Sequence, residues 1–288
     1  ILLAQRYYLG KRRFTTNART APPPLPLSRG WLAAATVYSW SVVVLSLLPF
    51  VAVLLISFLR FRGPVLHWEA SLGNYAELLA GSYRPLYNTL ILATVAALAV
   101  TAIGAPIGYV VARNRDRLTT ALDVVVMVPF AVSGTVLAIG LILAFNDRPL
   151  ALTGGWLILV IAYVVRKLPF CVRSASAIVH QIEPSLEEAS INLGVSPLRT
   201  FARLTVPLMT GGLVGSMILV WITVASELSS TIVLYTSLWS TMTVRMFQFL
   251  EGTAPGSATA AAAVLILFTA VPLLLVNRRL QRQSGAML

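Results

Sequence analysis

Charge is scarce in this sequence, and acidic charge is scarcest: the 288 residues hold 22 Lys and Arg, only 10 Asp and Glu, two His and one Cys. With Cys171 alone, no disulfide can form within the chain and no Cys-based metal cluster can be built, so Cys171 reads as a small buried apolar residue. A phosphate-cradling loop is missing as well. Gly10-Lys11 is followed by Arg12, and Gln5 stands where the first glycine of such a loop would be. The first 30 residues have no apolar run of the kind that opens a secretory signal, and the chain starts at Ile1, which reads as an internal cut or a processed end.

What fills the sequence is apolar: 57% of residues are hydrophobic and mean hydropathy is +0.82. Six windows, 31–59, 85–112, 124–146, 149–165, 204–226 and 252–277, contain no Asp, Glu, Lys or Arg. Each approaches the length of about 20 residues at roughly 1.5 Å rise that spans hydrocarbon. Lipid offers backbone amides no hydrogen-bond partner, so such windows must be helices, whereas barrel strands would be shorter and alternating. The composition predicts an all-α membrane protein of six transmembrane helices, over about 32–58, 88–111, 122–145, 150–167, 209–232 and 257–277.

The net charge of +12 raises the question of nucleic acid, which the positions of the cations answer. If the six windows are spans, one side collects Arg6, Lys11, Arg12, Arg13, Arg19, Arg29, Arg113, Arg115, Arg117, Arg166, Lys167, Arg173, Arg199, Arg203, Arg278, Arg279 and Arg282, which is 17 of the 22. Arg60, Arg62, Arg84, Arg148 and Arg245 remain on the other. Cations gathered at alternate span ends follow the positive-inside rule and set both termini in the cytoplasm, with no nucleic-acid partner. The loops 60–86, 146–149 and 234–256 then lie outside. His67 and His180 fall on opposite sides, so no catalytic constellation joins them. His67 reads as a loop histidine, with metal ligation as the alternative.

Residues 1–30 are basic and end in Pro22-Pro23-Pro24-Leu25-Pro26, which favours extended polyproline II and reads as a cytoplasmic linker preceding a domain over 31–288. Trp31 suits an interfacial anchor, and Pro49 is expected to kink the first span. The fourth span is short, so Arg166 and Lys167 are expected to snorkel at its inner end. The uncharged 228–244 is rich in Ser and Thr, and reads as an outside loop or a re-entrant segment packed against protein.

Between the fourth and fifth spans the pattern is of two short amphipathic helices. Pro184 suits a first helical turn, after which Leu186, Ala189, Ser190 and Leu193 share one face; Gly194 ends the helix in a left-handed cap. Ser196 and Pro197 read as cap and first residue of the next helix, whose face is Leu198, Phe201, Ala202 and Thr205, and Pro207 marks the return to the membrane.

Glu188-Ala189-Ser190, three residues, Gly194, nine residues, then Leu204-Thr205-Val206-Pro207 resembles the EAA loop of binding-protein-dependent ABC importer permeases, Glu-Ala-Ala, three residues, Gly, nine residues, Ile-x-Leu-Pro. Glu188, Ala189, Gly194 and Pro207 match; Ser190, Leu204 and Val206 are conservative departures. Leu168-Pro169-Phe170, Arg173-Ser174 and Glu227-Leu228-Ser229-Ser230-Thr231 are similar to the ferric-iron branch and its phosphonate and polyamine relatives, with Ser229 where the pattern has Pro.

The resemblance implies a type I ABC importer permease fold, no enzymatic activity and no cofactor held by this chain. It further implies that 184–207 docks on a separate ATPase dimer, which carries ATP and Mg. The other implied partners are a periplasmic or lipid-anchored substrate-binding protein, a second permease half and membrane lipid, in a bacterial inner membrane. Gln5 to Thr16 resembles the linker that opens the second half of a fused two-half permease. The alternative of another class is an ion-coupled carrier or channel using Glu227, the carboxylate nearest the interior of a span. Glu227, with Ser229, Ser230 and Thr231, either lines a translocation path or caps a helix break.

Overall fold

The computed structural model describes residues 28–114, 116–147 and 149–285, with side chains described as far as Leu274. The basic and proline-rich stretch before Ser28, Arg115, Arg148 and the side chains of Arg278, Arg279 and Arg282 lie outside the described residues. The chain divides into two units, Ile1–Pro49 and Phe50–Leu288.

Within the first unit, helix α1 (Arg29–Ser57) begins, and it runs through Pro49 into the second. Its hydropathy is the highest of the candidate spans, and Trp31, Tyr38 and Trp40 are exposed. In the second unit, an antiparallel hairpin of β1 (Leu59–Arg62) and β2 (Val65–Ala70) and helix α2 (Gly73–Gly81) occupy what the sequence marked as a loop. Asn74 ties the two together by donating to the Ser57 and Leu59 carbonyls at 2.9 and 2.8 Å.

The core is built by α3 (Arg84–Arg113), α6 (Trp156–Val179) and α9 (Val206–Ala225). The close approach of α3 and α6 depends on small residues. A Cβ at Gly104 would meet Cys171 at 2.8 Å, and one at Gly108 would meet the Val172 carbonyl at the same distance. Glycines four apart on one helix face let backbones pack closely where lipid supplies no hydrophobic drive. Cys171 is indeed a fully buried packing residue. The sixth expected span is α12 (Pro255–Gly285).

Among the described residues, four helical stretches are long and apolar enough to cross a membrane: Arg29–Ser57, Arg84–Arg113, Pro197–Ala225 and Pro255–Leu274. Two expected spans depart from the simple reading. The window 122–145 is not one straight helix but α4 (Arg117–Ala131) and α5 (Gly134–Phe145), bent by 108°. Pro129 and the cap at Ser133, whose Oγ accepts from the Val136 amide at 3.3 Å, break the helix between them. The helix expected as the fourth span does not stop at Lys167, and it is not among the stretches apolar enough to cross. Helix α6 continues for twelve residues to Val179, so Arg166 and Lys167 stand near its middle and do not snorkel from its inner end.

Segment 228–244 does fold back against protein. Short helix α10 (Thr231–Leu234) packs on α5, and Asn88 of α3 donates to the Leu238 and Ser240 carbonyls, both at 2.9 Å. Helix α11 (Met242–Glu251) follows, its first amide donating to Thr89 Oγ1 at 2.8 Å.

Candidate functional site: a cytoplasmic loop and a buried ion cluster

The loop between α6 and α9 forms as its local chemistry dictates. Helix α7 (Pro184–Asn192) has Pro184 in its first turn, where the missing amide costs nothing. It ends with Gly194 at φ +85°, the Gly194 amide on the Ile191 carbonyl at 2.9 Å and the Val195 amide on the Ser190 carbonyl at 3.2 Å. These two bonds satisfy carbonyls that the helix end would leave open, and they require the left-handed residue. Helix α8 (Pro197–Thr200) then runs through a wide turn over Phe201–Thr205 into α9. Ser196 adopts the extended cap conformation, but its hydroxyl makes no capping bond. The wide turn falls just before Pro207, where a regular helix would lose a hydrogen bond.

Burial in this loop differs from the expected amphipathic pattern. Leu186, Leu193 and Leu198 are exposed, as are Glu188 and Ala189, while Ser190 is half-buried with its hydroxyl 2.9 Å from Thr200 Oγ1. The buried member of α7 is Glu187. Arg113, at the end of α3, donates from Nη2 to Glu187 Oε1 at 3.0 Å and from Nε to Oε2 at 3.2 Å, a two-pronged pair. Tyr109 Oη and Thr205 Oγ1 add bonds at 3.0 and 3.1 Å. Burial alone would raise the Glu187 pKa, but the bonds from Arg113, Tyr109 and Thr205 outweigh it and hold the carboxyl below its usual range. Sequence reasoning missed this residue because two adjacent glutamates look alike until the α3 end is placed beside them.

The second constellation joins the two cations expected at the inner end of the fourth span to Glu227 of the expected fifth span. Helix α9 ends at Ala225, and Glu227 follows it. Arg166 Nη1 donates to Glu227 Oε1 and, at 2.9 Å, to Ser229 Oγ; Lys167 Nζ donates to Glu227 Oε2 at 3.0 Å. The Thr231 and Thr243 hydroxyls donate to the Glu227 carbonyl at 2.9 and 3.0 Å, and Tyr163 Oη lies 2.8 Å from Thr231 Oγ1. A Cβ at Gly134 would collide with Ser229 Oγ and the Arg166 guanidinium, so the first turn of α5 lies directly on the cluster. Ser229 and Thr231 thus take part in the network, whereas the buried Ser230 hydroxyl has no partner among the described residues. Among the described residues no three His, Cys, Asp or Glu side chains gather as metal ligands, and His67 sits on β2.

The family model for the inner membrane component of binding-protein-dependent transport systems matches residues 104–284, a stretch that includes both constellations. The chain belongs to this family. Membership makes it the membrane component of a transport system and not an enzyme. A ferric transport system permease protein, FbpB of Actinobacillus pleuropneumoniae, is 33% identical over 205 residues, 69% of this chain and 30% of that protein. The chain therefore spans under a third of the length of that curated relative. A 2-aminoethylphosphonate transport permease, PhnV of Salmonella typhi, is 25% identical over 89% of this chain and 98% of its own length. Among solved structures, a bacterial ABC transporter involved in alginate import aligns with TM-score 0.71 at 17% identity, covering 88% of this chain and 96% of that one. The MetNI methionine ABC transporter aligns with TM-score 0.60 at 17% identity, covering 72% and 97%. The mostly helical fold of this chain, which carries one β-hairpin, is that of ABC importer permeases.

Proposed function

We propose that this permease forms the translocation path of an ATP-driven importer and receives its power stroke through 184–207. The observation that carries the reading is the loop itself. Its helix is capped in a fixed geometry and anchored through Glu187, yet it turns Leu186, Leu193 and Glu188 outward. Apolar side chains held exposed on a rigid helix suit a partner surface. The partner is a separate ATPase dimer holding ATP and Mg, with Glu188, Ala189, Ser190, Gly194 and Pro207 as the coupling residues. A second permease half and an external binding protein complete the assembly. Ferric iron is the cargo favoured by the FbpB relatives. The PhnV relative, matched over nearly its whole length, favours a phosphonate as the second reading.

The test is co-purification with the ATPase and substrate-stimulated hydrolysis. Gly194→Val places a β-branched residue at φ +85° and should uncouple transport from hydrolysis while the spans still insert; Glu188→Lys should weaken ATPase association. Normal transport by both variants removes the loop from this role.

Orientation in a bacterial inner membrane, with cytoplasmic termini, rests on the charge asymmetry. Without Arg166 and Lys167, which are half-buried and buried in mid-helix, the asymmetry still stands. Single cysteines at Ser71 and Ser196 in a Cys171→Ala background should react with impermeant reagents from the outside and the inside respectively. Reaction of the Ser196 cysteine from outside would invert the scheme.

A further inference from the structure

The charges of the buried cluster do not cancel. Both oxygens of Glu227 are taken, one by Arg166 and one by Lys167, which sets two cations against one carboxylate. The three side chains are only 20, 11 and 7% exposed. Among the described residues no other acid forms an ion pair with Arg166 or Lys167. Arg166 stands ten residues into α6, about 15 Å along its axis. The adjoining first turn of α5 adds the positive end of a helix dipole to the same place.

Donors are also left over. Arg166 uses only Nη1, and Lys167 uses one of three N–H groups, among the described residues. The remaining Arg166 nitrogens, Nε and Nη2, are not among the fully enclosed polar atoms without partners, whereas the neighbouring Ser230 hydroxyl is. A cation with spare donors at a mostly buried position in mid-helix needs water or an anion beside it.

We propose that Arg166 and Lys167 form an oxyanion site on the translocation path, with Glu227 holding the two cations in place and limiting their residual charge to one. This rests on the reading of the chain as a translocation subunit, and it defines the cargo class for that reading. A bare metal cation is repelled at this point, while a phosphonate group, or a ferric ion wrapped in oxyanion ligands, is attracted. Both cargoes present the same chemistry to the site, namely negatively charged oxygens that accept N–H donors from a guanidinium and an ammonium.

Inorganic phosphate is the probe, titrated into the purified full-length permease at constant ionic strength with chloride as control, and read as thermal stabilisation. Lys167→Gln and Arg166→Gln should each weaken phosphate binding about tenfold or more, and Lys167→Arg should retain it. Glu227→Gln, which raises the residual charge, should bind phosphate at least as tightly as wild type. A cluster that only pins the helix break gives the opposite pattern: altered baseline stability with identical phosphate dependence in wild type and Lys167→Gln. That result, or no phosphate effect in wild type, overturns the proposal. If Glu227→Gln does not fold, the contrast between Lys167→Gln and Lys167→Arg decides alone. Reconstitution with the ATPase and binding protein separates the sources, by uptake of radiolabelled ferric iron with and without phosphate or of radiolabelled 2-aminoethylphosphonate. Transport of neither cargo, with the phosphate series intact, overturns the cargo reading and leaves the site standing.

Discussion

Glu227→Leu is expected to prevent the permease from reaching a stable fold. The substitution removes the only carboxylate that Arg166 and Lys167 touch among the described residues, and leaves two cations without that counter-charge between α6 and the segment after α9. Breaking a buried ion pair by removing one partner costs about 3–5 kcal/mol, against total stabilities of roughly 5–15 kcal/mol. Here two pairs share the lost group. The Ser229 hydroxyl, which donates to Glu227 Oε1 at 2.6 Å, loses its acceptor as well. The expected readout is loss of monodisperse protein in detergent and rapid proteolysis in membranes. Replacing all three groups together, as Arg166→Leu, Lys167→Leu and Glu227→Leu, should recover much of the yield, because an apolar cluster of similar volume has no charge to desolvate. Wild-type stability of the single variant would show that water, not Glu227, balances the two cations.

Glu187→Leu is expected to cost about 3 kcal/mol or more and to free the loop helix from the end of α3. Arg113 would keep its bond to the Ile182 carbonyl at 3.1 Å but lose both prongs to the carboxylate, and Tyr109 and Thr205 would lose their acceptor. Hydrogen exchange over 184–200 should rise sharply while exchange in the α3–α6 core stays slow. Comparing Arg113→Leu, Glu187→Leu and the double variant isolates the coupling of the pair, and additivity would show that the two side chains act independently. The same pair fixes a pH dependence. Because the folded-state pKa of Glu187 lies below its ordinary value of 4.5, its contribution is complete above that value and fades as pH falls through the lowered one. Association with the ATPase should therefore not weaken through Glu187 anywhere near neutral pH.

Much of this protein was legible because lipid leaves a chain few options. The windows without charge became α1, α3, α9 and α12, since an apolar segment of about 20 residues can satisfy its backbone only as a helix. The Gly194 cap was legible for a different reason: its cause is local, a left-handed residue and two bonds closed within six positions. The bend between α4 and α5 had a signal in Pro129 and Ser133 that the uninterrupted hydropathy concealed.

Pairing across the fold was another matter. Snorkelling describes a long cation near the end of an isolated helix, and it fails for Arg166 and Lys167 because α6 does not end there and because Glu227, about sixty residues away in sequence, meets them inside the bundle. Nothing in the order of residues places that carboxylate beside those cations. The same holds for Glu187 and Arg113, which are separated by 74 residues and brought together only by the packing of α3 on α6. By itself the sequence determined the solvent, four of the long apolar helices and the Gly194 cap, because these follow from the transfer of each segment into lipid and from bonds between near neighbours. Which charges pair, and which are left in excess, was decided by the tertiary structure alone, because electrostatic energy depends on distance in space and is largest where water has been excluded.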